Sequence, residues 1–315
     1  MSGQQLSAFQ SAASYWQSKL TDNVTVYVNV SFADLGSSTL GSTTWAPYSL
    51  AYGDLRSRLA ADAKSATDAT AIGHLQTGPA LSFIATQPNL TTRLDNDGSL
   101  NNTELKLTSA NAKALGLATP TDASSPDAVI RFASNFASSF AYARTNGQVP
   151  ADKIDFITVA EHEIGHALGF VSGVDSIDFC LDHAAQCGTT NGFENEVSYS
   201  ALDLFRYSAP NTLNLAVGGN PKPYFSVDGG ATSVLSFSTG QYHGDGNQAD
   251  HFSTNANILM APFVHKGQSY DASTADLMAL DAIGWNLTAA VPEPQSYALL
   301  LGGLAAIGWA RRRRR

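Results

Sequence analysis

The run from 155 to 170, Asp-Phe-Ile-Thr-Val-Ala-Glu-His-Glu-Ile-Gly-His-Ala-Leu-Gly-Phe, constrains the fold of this chain more than any other. Ile157, Ala160, Ile164 and Leu168 recur at helical spacing, and Val159, His162, His166 and Gly169 form an adjacent stripe. A helix that is apolar on most of its faces must be buried, so the spacing predicts a central helix with the rest of the chain packed around it. Two imidazoles and a carboxylate (His162, His166 and Glu163) are expensive to bury there without a partner. Gly165 inside the helix costs about 1 kcal/mol relative to alanine. That cost predicts either close backbone packing or close approach of a ligand. Gly169 is placed to end the helix.

Other periodic runs are shorter. Phe9, Ala12, Trp16 and Leu20 share one helical stripe within residues 5–20. Val24, Val26, Val28, Val30 and Phe32 alternate with polar residues, as in a half-buried strand. A helix is expected over 48–65, carrying Leu55 and Leu59, and strands over 80–86 and 127–133. Residues 87–125 read as loops with one edge hairpin, and 171–255 as irregular. A last helix, 274–283, opens with Ser273 and Asp276 in capping-box spacing and ends at Gly284. No repeat of solenoid period is present. The pattern predicts an α+β chain: an N-terminal lobe (1–170) with a twisted mixed sheet and helices, a loop-rich C-terminal lobe (171–288), and a tail (289–315).

Charge excludes one class of partner. The net charge of −9 includes the terminal run Arg311–Arg315; without it, 13 basic face 27 acidic groups, a balance of −14. Such a body repels phosphate backbones, so no nucleic-acid partner is expected. Charged residues make up only 14% of the chain, in keeping with a surface solvated by hydroxyls and amides. Cys180 and Cys187, close together in a loop-like stretch, fit either a small disulfide loop in an oxidising compartment or two thiols. The start, Met-Ser-Gly-Gln-Gln, carries no visible secretory signal.

On a helix, His162 and His166 lie one turn apart on the same face, a spacing that lets both imidazoles hold one Zn²⁺. Glu163 is then placed to take a proton from water. Zinc needs a third protein ligand. His251 is one candidate, followed nine residues later by Met260; Glu194 or Glu196 is the other, and Asp175 an outside one. His74, His183, His243 and His265 lie in polar stretches and are expected to be solvated, although His265 or Tyr270 could approach the metal. Asp245 and Asp250 suggest Ca²⁺ but match no calcium-loop spacing.

The run His-Glu-Ile-Gly-His-Ala-Leu-Gly-Phe resembles the metzincin superfamily of zinc metallopeptidases. It departs from the strict pattern at Ser172, where the third histidine is expected. His251 with Met260 resembles the leishmanolysin variant, in which an insertion precedes the third histidine and a methionine turn follows. Thr274 to Trp285 resembles the helix after that turn, whereas Glu194 and Glu196 resemble the glutamate helix of thermolysin-type enzymes. The metzincin resemblance implies a zinc endopeptidase acting on peptide or protein substrates. In it one catalytic ion is held by His162, His166 and His251, Glu163 is the general base, and the substrate adds as a strand to the upper edge of the sheet. The tyrosine that often follows the methionine turn is replaced by Pro262. The rival expectations are a non-catalytic, zinc-stabilised surface or matrix protein, and an amidase or esterase on the same scaffold.

The tail has three parts: Val291-Pro-Glu-Pro, an apolar run from Tyr297 to Ala310, and five arginines. It resembles the PEP-CTERM sorting signal, which an exosortase recognises. The apolar run is short for a stable span, and the arginines would hold its end at the cytoplasmic face. This implies transient membrane contact and delivery to the surface or matrix of a Gram-negative bacterium. A plain tail anchor or an amphipathic helix is the alternative.

Overall fold

The computed structural model describes residues 1–253 and 257–288, so the tail and its linker lie outside the described residues. Helix α1 (Gly3–Lys19) opens with a capping box between Ser2 and Gln5 and buries Ala8, Phe9, Ala12 and Trp16, the expected stripe. Strand β1 (Val28–Ala33) begins later than the valine alternation suggested, because ladder pairing with its neighbour starts only at Val28. Next come β2 (Gly41–Trp45), β3 (Pro47–Ala51) and α2 (Tyr52–Asp62). The expected helix over 48–65 is therefore wrong at its start. Tyr48 and Leu50 belong to a strand paired antiparallel with Leu107 and Leu105, and cross-strand pairing overrides local helical periodicity.

Helix α3 (Ala66–His74) leads to the hairpin β4 (Phe83–Thr86) and β5 (Thr92–Asp95). The stretch expected to hold only loops and a hairpin also folds into α4 (Leu100–Thr103), β6 (Glu104–Thr108) and α5 (Ser109–Ala114). Strand β7 (Ala128–Ala133) is the centre of a three-stranded sheet, parallel to β1 and antiparallel to β2. The sheet is mixed, as expected, and β2 is an edge strand.

After β8 (Phe140–Ala141) and β9 (Ile154–Asp155), helix α6 (Phe156–Leu168) starts where Asp155 Oδ1 accepts the Ile157 N–H. It ends at Gly169, whose φ of 118° is accessible to glycine at little cost. Every α6 residue except His162 is buried. Phe156 sits at 4.5 Å from Phe132 and 5.9 Å from Phe32 between ring centres, fixing the helix under the sheet. On another side Trp16 Nε1 donates to the Glu161 carbonyl at 2.9 Å.

The remainder is less irregular than its composition suggested. Helices α7 (Val174–Asp182) and α8 (Ala184–Cys187) are joined by the Cys180–Cys187 disulfide. A four-stranded sheet orders β10 (Arg206–Ala209), β11 (Thr212–Leu213), β12 (Tyr224–Phe225) and β13 (Leu235–Ser236) as β11-β10-β12-β13. Three of these strands have two residues and β10 has four, too few to carry a periodicity readable from sequence. Helix α9 (Thr274–Ala282) has the expected Ser273–Asp276 capping box. The last described residues return to α1, with Thr288 N–H donating to Lys19 C=O at 2.8 Å. Among the described residues the fold is thus mixed, with several small sheets and nine α-helices, and no helix is long and apolar enough to cross a membrane.

Candidate metal centre

Three imidazoles converge. His162 Nε2 lies 3.0 Å from His166 Nε2 and 3.1 Å from His251 Nε2. The opposite ring nitrogens face backbone oxygens. His162 Nδ1 is 2.7 Å from Leu259 O, His166 Nδ1 2.6 Å from Phe170 O, and His251 Nδ1 3.3 Å from Gln248 O. A carbonyl oxygen can only accept, so each Nδ1 must carry the hydrogen. In a neutral ring each Nε2 then presents a lone pair toward the other two. A single proton could bridge only one of these contacts, whereas one cation satisfies all three. Zinc takes imidazole nitrogens at ~2.0–2.1 Å, and nitrogens about 3 Å apart fit around such an ion. The donor set therefore suits a divalent metal of imidazole preference.

Electrostatics point the same way. Burial, followed by the proximity of the other two rings, holds His162 well below its ordinary pKa; burial likewise lowers His166. Both therefore favour the neutral, ligating form. His251 differs: burial works against its charged form, but the carboxylate of Asp250 raises its pKa. Asp250 Oδ1 lies 3.0 Å from His251 Nδ1, and Oδ2 lies 3.4 Å from His166 Nδ1. One carboxylate thus orients two of the three rings, as outer partners of metal-binding histidines commonly do. Sequence reasoning missed this role of Asp250. Its adjacency to His251 was the available signal.

Glu163 projects beside the triad toward β2. Thr43 Oγ1 lies 2.7 Å from Glu163 Oε2, and a β-carbon at Gly41 would overlap the carboxylate. Burial pushes the Glu163 pKa up to about 7, against the Thr43 hydrogen bond, which lowers it. A cation at the triad would pull it down further. Neither Thr43 nor Gly41 was identifiable from sequence, because both act across a strand–helix contact 120 or more residues long.

Met260 lies beneath the helix. A β-carbon at position 165 would come within 2.7 Å of Met260 Sδ, so the expected close packing at Gly165 is against this methionine. The turn carrying Met260 is held by α9: the Asp276 carboxylate accepts the N–H groups of Leu259 and Met260 at 3.3 and 3.2 Å. Leu259 in turn presents its carbonyl to His162.

The remaining candidates lie elsewhere. Glu194 is paired with Arg93 and grouped with Asp95 and Asp97 away from the histidines, and neither it nor Glu196 sits on a helix. Asp175 accepts the backbone N–H groups of Ala249 and Asp250 at 2.6 and 3.1 Å, anchoring the His251 segment rather than ligating. Ser172 donates to Asp203 at 2.6 Å. His243 is not simply solvated, since its two ring nitrogens face Asp178 at 2.9 Å and Asp182 at 3.3 Å. His183 stacks on Phe179, and His74 Nδ1 faces Thr70 O. His265 is exposed, and the Tyr270 hydroxyl accepts its N–H while donating to Gln268. Asp245 faces Lys222 and Thr239, and with Asp250 committed to the histidines this pair forms no oxygen cage.

The triad lies in a cleft of about 630 Å³. Strand β2 lines one part of it through Gly41, Thr43 and Trp45, and Pro262 and Phe263 line another. Among comparisons with known proteins, the PEP-CTERM protein-sorting motif matches residues 290–315. This motif marks export and sorting to the Gram-negative cell surface and recognition by an exosortase-type enzyme. No curated protein and no solved structure matches the chain.

Proposed function

We propose that this exported chain is a zinc endopeptidase with an arrangement like that of the leishmanolysin-type metzincins. The carrying observation is the convergence of three Nε2 lone pairs from His162, His166 and His251, with each Nδ1 facing an oxygen. Zinc held there would supply a Lewis acid and lower the pKa of water toward about 7. Glu163 accepts the proton from the attacking water at its carboxylate and delivers it to the leaving amine. Thr43 orients that carboxylate, and Gly41 leaves it room. The β2 edge offers backbone groups beside the cleft to which an extended peptide can add as a strand.

Glu163→Gln separates this proposal from a structural zinc protein on the same scaffold. Zinc content is expected to stay at the wild-type level while casein hydrolysis falls by about 10² or more. Unchanged hydrolysis at equal zinc would sink the catalytic assignment. A wild type that hydrolyses simple esters or amides but no peptide would move it to the amidase or esterase alternative.

A further inference from the structure

A second cluster of ligand atoms lies at the loop joining β5 to α4. Asp95, Asp97 and Glu194 bring carboxylate oxygens within 4.8 Å of one another. Arg93 is the only cationic side chain paired with them among the described residues: its Nη2 contacts Glu194 Oε1 and lies 3.5 Å from Asp95 Oδ2 and 3.9 Å from Asp97 Oδ2. One positive charge therefore faces three negative ones, and it addresses one oxygen of each carboxylate.

Asp97 Oδ1 accepts the Ser99 N–H at 3.0 Å, but the other oxygens of Asp95 and Glu194 are short of hydrogens. Asp95 is 1% exposed, yet its Oδ1 has no donor. Glu194 Oε2, Asn101 Oδ1 and Asn102 Oδ1 crowd the Ser99 hydroxyl at 2.9, 2.8 and 3.0 Å. That hydroxyl has one hydrogen, so it can serve only one of the three. Turning the amides over does not help. Asn101 Nδ2 already donates to Asp95 Oδ2 and Asn102 Nδ2 to Leu81 O, both at 3.1 Å. A buried carboxylate oxygen without a donor is costly, and so is a knot of acceptors. A hard cation relieves both.

We propose that Asp95, Asp97, Asn101 and Glu194, with the Ser99 hydroxyl, form a Ca²⁺ site separate from the histidine centre. Calcium takes six to eight oxygen ligands in flexible geometry, and side-chain amide, carboxylate and hydroxyl oxygens are what this loop presents. Magnesium demands near-octahedral order and retains its waters, a poorer match for an irregular cage. The ion would clip the loop after β5 to the segment after the disulfide, reinforcing the Asn101 N–H to Glu194 C=O bond of 3.0 Å. Tyr199 and Asp95 line the same cavity, which gives the site an optical reporter.

The test uses the full chain in metal-depleted buffer and does not depend on hydrolysis, so its outcome is separate from that of the peptidase proposal. Tb³⁺ emission sensitised by tyrosine should appear on titration and be displaced by CaCl₂. Millimolar CaCl₂, but not MgCl₂, should raise the thermal midpoint by about 3 °C or more. Asp97 is 49% exposed, so Asp97→Asn poses little threat to folding, and it should weaken Ca²⁺ binding about tenfold or more, as should Glu194→Gln. Melting curves without calcium confirm that both variants fold. Absence of sensitised emission and of any calcium shift in the wild type overturns the site, as does a response left intact in both variants.

Discussion

Glu163 is where a single hydrogen bond has a readable consequence. Thr43 lowers its pKa while burial raises it to about 7, and general-base chemistry needs the ionised form. Removing the hydrogen bond with Thr43→Val must raise the pKa, so the acidic limb of the pH–kcat/KM profile should move to higher pH with zinc content unchanged. A limb that stays put, or moves down, would show that Thr43 does not act on this carboxylate. Asp250 bears instead on the proposed metal. Asp250→Asn removes the negative charge shared by His166 and His251, and zinc affinity measured by competition with a chromogenic chelator should fall about 10–100-fold. Loss of affinity with normal folding is the expected signature.

At the scale of elements, the site depends on joints that hydrogen bonds fix. The Asp276 carboxylate accepts the N–H of Ser273, the N-cap of α9, and also holds the N–H groups of Leu259 and Met260. Leu259 O, in turn, fixes the His162 ring. A change at Asp276 should therefore reach the histidine centre, although Asp276 is not one of its three imidazoles. A second joint is Asp127, which receives Lys113 Nζ at 2.7 Å, Ser109 Oγ at 2.7 Å and Tyr27 N–H at 2.7 Å, tying β1, β7 and α5 together. Burial works to raise its pKa, yet the lysine and hydrogen bonds hold it below the ordinary 3.8. A depressed folded value means the stabilisation is full above the ordinary pKa and is lost as pH falls from there through the folded value. Asp127→Asn should cost about 3–5 kcal/mol at neutral pH, because it leaves the Lys113 charge partly buried without its partner. Its denaturant midpoint should also depend less on pH below about 4. Equal acid sensitivity in variant and wild type would contradict this assignment.

Across the whole molecule, the histidine centre links residues 162 and 166 on α6 to residue 251, far along the chain. A ligand that binds only the folded state adds stability in proportion to ln(1 + [L]/Kd). Chelation of zinc is therefore expected to lower the thermal midpoint, and readdition to restore it, whereas a His251→Ala chain should show little response to either. The disulfide is a smaller closure. Its short loop between Cys180 and Cys187 predicts a loss of about 2–3 kcal/mol for the double serine variant, checked by denaturant unfolding under non-reducing conditions.

Local sequence determined the elements whose information is local. The α1 stripe, the α6 helix with its Gly169 stop and the Ser273–Asp276 cap all rest on contacts within a few residues, and the His162–His166 pair follows from one helical turn. The tail was equally legible, because a sorting signal is read as a linear string. Tertiary structure brought His251, and not Glu194 or Glu196, to the His162–His166 pair, placed Asp250 against two of the rings, and brought Thr43 and Gly41 to Glu163. It also turned Tyr48 and Leu50 into a strand through pairing with β6. Each of these outcomes depends on partners distant in the chain, whose approach is fixed by packing of the whole core and leaves no periodicity at either end.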